Sequence, residues 1–160
     1  MTTRTKPIPA GYHTVTPYLV ITNAAKAIDF YRQAFGAEEL VVMPGPDGKG
    51  VMHAEVKIGD SIIMMGEEHP QEPCKSAETM GGSPVSFYIY LENVDEAFGR
   101  ALAAGAETKM PVDDMFWGDR AGTVQDPFGY NWTLATHNKD LTPQEMQEGA
   151  QAFFARMARK

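Results

Sequence analysis

The chain has 160 residues, 43% of them hydrophobic, with a formal net charge of -7. That length suits one domain, or one domain made of two small halves, with a proper core. The acidic balance argues against nucleic acid or an anionic membrane as partner, because phosphate binding needs clustered Lys and Arg. One cysteine, Cys74, excludes an internal disulfide and a Cys-rich zinc site. No apolar run is long enough to cross a bilayer, and the N-terminus lacks the apolar stretch of a secretory signal, so a cytoplasmic protein is expected.

Residues 1–12, with Pro7 and Pro9, read as a loose N-terminal arm. Residues 13–21 alternate, Val15, Leu19 and Ile21 against Thr14, Thr16 and Tyr18, which predicts a strand. Asn23 suits a helix N-cap. Ala24, Ala27, Ile28, Tyr31, Ala34 and Phe35 follow at helical spacing, and Gly36 is a natural stop. A short strand is expected near Glu39–Met43, then a turn at Pro44–Gly48. In 51–58, Met52, Ala54, Val56 and Ile58 share one strand face and His53, Glu55 and Lys57 the other. Residues 61–65 read as a buried strand.

Residues 67–84 are polar and rich in Pro and Gly, and read as a connector able to act as a lid. Strand 85–91 then sets Val85, Phe87, Ile89 and Leu91 against Ser86, Tyr88 and Tyr90. A helix with Val94, Ala97, Phe98, Ala101 and Leu102 on its buried stripe ends at Gly105. A strand near Met115–Val124, a turn at Asp126–Gly129 and a last strand at 130–136 follow. Residues 138–160 are expected to hold a final amphipathic helix. Thr142, Pro143 and Glu145 make its capping box, Met146, Ala150, Phe153, Phe154 and Met157 its apolar stripe, and Arg156, Arg159 and Lys160 a basic end that suits the helix dipole.

This order repeats. Ile21–Ile28 running into Phe35–Glu38 is matched about seventy residues later by Leu91–Phe98 running into Ala104–Glu107. Two copies suggest two half-domains that share a core or enclose one cleft, rather than a solenoid.

The segments Thr16–Asn23, Ile28–Tyr31 with Phe35-Gly36, Val51–Glu55 with Ile58–Asp60, and Trp117–Arg120 with Asp126–Gly129, on that doubled frame, resemble the vicinal oxygen chelate superfamily. Its members include glyoxalase I, extradiol dioxygenases, and fosfomycin and bleomycin resistance proteins. The Thr16–Tyr18, Met52–Ala54 and Trp117–Arg120 segments, with the Thr142 helix start, look most like the subgroup labelled PhnB-like or demethylubiquinone-methyltransferase-like. The resemblance implies an α+β fold: paired βαβββ repeats forming curved mixed sheets around a cleft, helices outside, and an extra C-terminal helix. It covers 13–137 as a single domain, with halves 13–66 and 85–137. It further implies a homodimer. Whether the halves pair within one chain or across two stays open. No Gly-rich turn of the kind that binds S-adenosylmethionine is found, so the methyltransferase label is set aside.

Metalloenzymes of this superfamily hold a divalent ion on His, Glu or Gln at matched points of both halves. Carried over by offset, those points fall on Thr16, on His53 or Glu55, on Ser86 and on Thr133. Three hydroxyls are poor ligands for zinc, iron or nickel, so these residues argue against the standard metal site. What remains is a face lined by Thr16, Tyr18, His53, Glu55, Ser86, Tyr88, Tyr90, Asn131 and Thr133, with Trp117, Asp119 and Arg120 at its rim. Aromatic walls with a few hydrogen-bonding groups describe a small-molecule site. His53, oriented by Glu55, is the candidate proton carrier. The expectation is a protein that binds a small organic molecule. The alternatives are a metal-dependent lyase, isomerase or dioxygenase, and metal-free acid–base catalysis by His53. Asp119 and Arg120 could equally form only a salt bridge, and His13, His69 and His137 read as surface residues.

Overall fold

The computed structural model describes residues 5–158 and forms two compact units. One runs up to Ser83 and includes Pro127–Gly129; the other comprises Pro84–Asp126 and the chain from Tyr130 onward. Each unit carries one four-stranded mixed sheet, so the paired βαβββ architecture and the added C-terminal helix are both present.

In the first unit β1 (Tyr18–Ile21) leads into α1 (Ala24–Phe35), then β2 (Glu38–Pro44), β3 (Val51–Ile58) and β4 (Ser61–Glu67). The sheet order is β1-β4-β3-β2, with β1 parallel to β4 and the other pairs antiparallel. Asn23 caps α1 by accepting from the Lys26 amide, and Gly36 ends it in the left-handed conformation. Alternation sends Leu19, Ile21, Ala54, Val56 and Met65 into the core with Ala27, Ile28 and Tyr31 of α1. The opposite sheet face, turned away from the α1 core, carries Tyr18, His53, Glu55 and Met64. The first strand is shorter than its alternation predicts: Thr14 and Thr16 precede it, and Val15 is exposed. Pro17 offers no amide, and the sheet pairing begins after it, at Tyr18.

The connector is more ordered than a free lid. It holds a short helix, α2 (Ala77–Met80), which packs on β1. Ser76 caps α2 and is itself buried. Glu68 organises the segment, accepting from the Ser76 amide at 3.0 Å and the Thr79 hydroxyl at 2.7 Å. Those bonds, led by the Ser76 amide, bring its carboxyl down to about 2. Since the folded value lies below the unfolded one, Glu68 stabilises the fold above its ordinary value of 4.5, and that stability is lost as pH falls towards 2. Glu68→Gln should therefore lower the midpoint of urea unfolding at pH 6 and flatten its fall between pH 5 and pH 2. An unchanged acid profile would show that the carboxylate does not hold the connector.

In the second unit β5 (Ser86–Tyr90), α3 (Val94–Ala103), β6 (Glu107–Asp114), β7 (Asp119–Gln125) and β8 (Asn131–His137) repeat the pattern in the order β5-β8-β7-β6. β6 carries no clean alternation, which hid it in the sequence. The strand expected near Met115 begins instead at Asp119, because Met115–Gly118 form a turn closed by the Gly118 amide on the Met115 carbonyl. On the helix side Phe87 stacks on Trp132 at 4.5 Å, and the Trp132 indole donates to buried Asp126. Asp126 also accepts from the Tyr130 amide, so it organises its turn. Leu102, expected on the buried stripe of α3, is exposed.

The last helix, α4 (Pro143–Met157), has the full capping box of Thr142 and Glu145. Its expected apolar stripe is not buried. Phe153 touches Phe116, whereas Phe154 and Met157 face solvent. Arg156 lies in its last turn; Arg159 and Lys160 lie outside the described residues. No described helix is long and apolar enough to cross a membrane.

Candidate functional site

The period of two in β3 places His53 and Glu55 together on the face of the first sheet opposite its α1 core. His53 Nε2 lies 3.1 Å from Glu55 Oε1, and the Tyr12 hydroxyl donates to Glu55 Oε2. Tyr12 and His53 together hold the Glu55 carboxyl below its ordinary range, with the Tyr12 bond as the largest cause. The same bond raises the Tyr12 phenol. Tyr18 lies beside this pair, its ring 5.9 Å from that of His53. It reaches there because residue 66 is glycine: a Cβ at Gly66 would sit 2.5 Å from the Tyr18 hydroxyl and 2.8 Å from the Met52 carbonyl.

The N-terminal arm crosses this face. Pro7, Ile8 and Pro9 form one wall of an open depression of about 490 Å³, and Tyr12, His13, Thr14, Thr16, Glu55 and Met64 line the rest. Arm and sheet thus combine an apolar wall, a carboxylate and hydroxyls. Such a mixture orients a small polar organic molecule while burying its apolar part. The periodicity of the sequence found Thr16 and Glu55, which line the depression, and Tyr18 and His53, which lie beside Glu55 without lining it. It missed Tyr12 and Met64, because an irregular arm has no period and Met64 sits in a run apolar on both faces.

On the second sheet the aligned rows bring Ser86 opposite Asn131 and Tyr88 opposite Thr133. The Thr133 and Thr123 hydroxyls bond each other at 2.9 Å. Asn131 Oδ1 is buried and lacks a hydrogen-bond partner, leaving one acceptor to satisfy. Asp119 is a hub. Its Oδ2 accepts from Tyr88 at 2.7 Å, Trp117 Nε1 at 3.0 Å and Tyr90 at 3.3 Å, while Oδ1 meets His137 Nδ1 at 2.7 Å. Burial raises the Asp119 carboxyl, but these bonds, led by His137, outweigh it and leave it lowered. Tyr88 is pushed up to about 12, by burial first and then by Asp119. His137 is raised by Asp119 and then by Asp140, which lies 3.0 Å from its Nε2. His137 is a surface residue, as expected, and is held there by both carboxylates. Alternation from Asn131 through Thr133 and Ala135 already puts it on this face.

Arg120 points the other way. Its guanidinium bridges Asp95 with two bonds of 2.8 Å and reaches Asp114 at 3.3 Å. The salt bridge foreseen for Asp119 and Arg120 is thus made with other partners on opposite faces of β7.

The donor set does not fit the standard metal site. Thr16, Ser86 and Thr133 offer hydroxyls, and His53 is already matched to Glu55. Among the described residues no three His, Cys, Asp or Glu side chains gather so as to hold a metal ion.

A model of the Glyoxalase/Bleomycin resistance protein/Dioxygenase superfamily matches residues 12–134. The chain belongs to this superfamily. An uncharacterized protein of Mycobacterium bovis is 40% identical over 136 residues, covering 83% of this chain and 89% of that protein. Among solved structures, TioX from Micromonospora sp. ML1 is 27% identical with a TM-score of 0.61, over 81% of this chain and all of that one (100%). A Bacillus cereus PhnB protein, described as a putative 3-demethylubiquinone-9 3-methyltransferase, shares the superfamily fold at 20% identity and a TM-score of 0.62, over 78% of this chain and 99% of that one.

Proposed function

We propose that this glyoxalase-superfamily protein binds a small organic molecule without a metal of the standard geometry. The ligand sits in the depression on the first sheet, against Thr16 and Glu55, with His53 and Tyr18 next to Glu55 on the same face. The observation that carries this reading is the depression of about 490 Å³, in which the Pro7–Pro9 wall faces the ionised Glu55 and the Thr16 hydroxyl. A ligand with a hydrogen-bond donor beside an apolar or aromatic body satisfies both sides. Glu55 already orients His53, so the same pair is positioned to move a proton on a bound molecule.

The Thr16–Tyr18, Met52–Ala54 and Trp117–Arg120 segments favour the PhnB-like subgroup. The reading also takes the chain as a homodimer, to which the exposed Phe154 and Met157 on α4 offer apolar area. It takes the protein as cytoplasmic, a setting that suits the free, exposed Cys74.

Ligand binding stabilises the folded state by mass action. A panel of small aromatic alcohols and amines should yield compounds that raise the Tm of the wild-type chain. Thr16→Trp fills the depression from its rim. It should abolish that rise and leave the Tm of the free protein within a degree or two. A panel that moves neither protein, or hits that bind Thr16→Trp equally well, would remove the proposal.

A further inference from the structure

We propose that the face of the second sheet formed by Tyr88, Tyr90 and Trp117 around Asp119 is a binding site for an alkylated ammonium group. It shares no residue with the depression on the first sheet and is tested independently of it.

The geometry is that of a locked aromatic surface. Tyr88 and Tyr90 alternate onto one face of β5, with ring centroids 5.2 Å apart and planes inclined by 49°. Their hydroxyls and the Trp117 indole converge on a single oxygen of Asp119. The carboxylate is only 4% exposed, while Tyr88 and Tyr90 remain 45% and 65% exposed. The polar edges therefore turn inward, leaving much ring surface open to solvent. Phe116 braces Trp117 edge-on at 4.9 Å. Side chains fixed in this way lose little rotamer freedom when a ligand arrives.

The charge chooses the ligand. Aromatic faces carry negative potential and attract cations. A phenol that donates to a carboxylate becomes richer in electrons, which strengthens that potential. Asp119 adds an anion at the hydroxyl edges of the rings. His137 also faces Asp119, but its charge when protonated is shared between Asp119 and Asp140. Arg120, the neighbouring cation in sequence, is held by Asp95 and Asp114 on the helix side.

The hydrogen-bond inventory narrows the class further. Asp119 Oδ2 already accepts three donors. A bare amine would bring N–H groups to a surface with little acceptor capacity left on that oxygen. An ammonium carrying methyl groups has no such demand and places apolar, cationic surface on the rings.

The test is a titration of the full chain at constant ionic strength with choline and with 3,3-dimethylbutan-1-ol, its neutral isostere. It is read from the two tryptophan indole N–H resonances and assigned with Trp117→Phe. Trp132 is fully buried and serves as internal reference. Choline should shift the Trp117 resonance saturably, about tenfold more tightly than the isostere. Tyr90→Leu keeps apolar area at an exposed position and should weaken choline by about threefold. A peptide carrying trimethyllysine separates the sources of such a group: binding tighter than choline assigns it to a protein chain, and weaker or equal binding to a free small molecule. No saturable shift with either cation, equal response to the isostere, or an unchanged Tyr90→Leu affinity would overturn the proposal.

Discussion

Replacing Trp132 by alanine should cost about 3–5 kcal/mol, the usual penalty for truncating a large, fully buried aromatic. That is a large share of the 5–15 kcal/mol that typically holds a domain. Two losses combine at this position. The indole stacks on Phe87 at 4.5 Å, and its N–H donates to Asp126 at 2.8 Å. Alanine opens a cavity and also takes a donor from a buried carboxylate that organises the turn at 126–129. Trp132→Phe separates the two, keeping most of the ring contact and losing only the hydrogen bond, for about 1–3 kcal/mol. Urea unfolding followed by far-ultraviolet circular dichroism measures both. A Trp132→Ala midpoint within error of wild type would mean that the core of the second unit is not packed around this ring.

Asp119→Ala carries the second large effect, about 2–4 kcal/mol, and it arises from polar satisfaction rather than packing. Four donors lose their common acceptor at once. Tyr88, Tyr90 and His137 are exposed enough to turn to water, whereas the half-buried Trp117 cannot do so freely. The pH dependence gives the signature. His137 is raised by Asp119, so the contribution of this pair is fully present below the ordinary value of 6.5 and is lost as pH rises through the folded value above it. Asp119 is lowered, so its own contribution is present above 3.8 and lost as pH falls. Wild-type stability should therefore decline from pH 6 to pH 8.5 relative to Asp119→Ala. Parallel profiles would show that the His137–Asp119 contact does not exist in solution.

Much of the fold was legible because its signals are local and repeated. Asn23 and Asn93 each cap the helix after the first strand of a half, and each accepts from the amide three residues on. Clean alternation in β3 and β5 fixed which side chains share a face. Where two demands compete, the sequence was less clear. Val15 belongs to an alternating run, yet the pairing of β1 begins only after Pro17. β6 lies at a sheet edge, carries Pro111 and has two register shifts, so it shows no period. The stripe of α4 has the spacing of a buried face, but spacing records amphipathicity and not what covers it.

The site divides the same way. Strand periodicity alone grouped Tyr88 and Tyr90, and His53 with Glu55. It could not see that Asp119 ties together Trp117 and His137, since the first link depends on the turn at Met115–Gly118 and the second on register between β7 and β8. Nor could it see Tyr12 reach Glu55 across 43 residues of chain. The carry-over of metal positions was informative in a different manner. The hydroxyls found at those positions turned attention from coordination to hydrogen bonding.

A ligand in the depression on the first sheet lies against Met64, so the methionines report on it directly. The chain has 10 of them; Met64 lines the depression, Met65 is its fully buried neighbour, and Met80 and Met157 are exposed elsewhere. The measurement is a titration of methyl-labelled methionine protein with the strongest compound from the thermal panel. A saturable shift of the Met64 methyl, with Met80 and Met157 unmoved and the response lost in Thr16→Trp, is the predicted result. Shifts confined to methionines away from the depression, or none at a concentration that raises Tm, would contradict it.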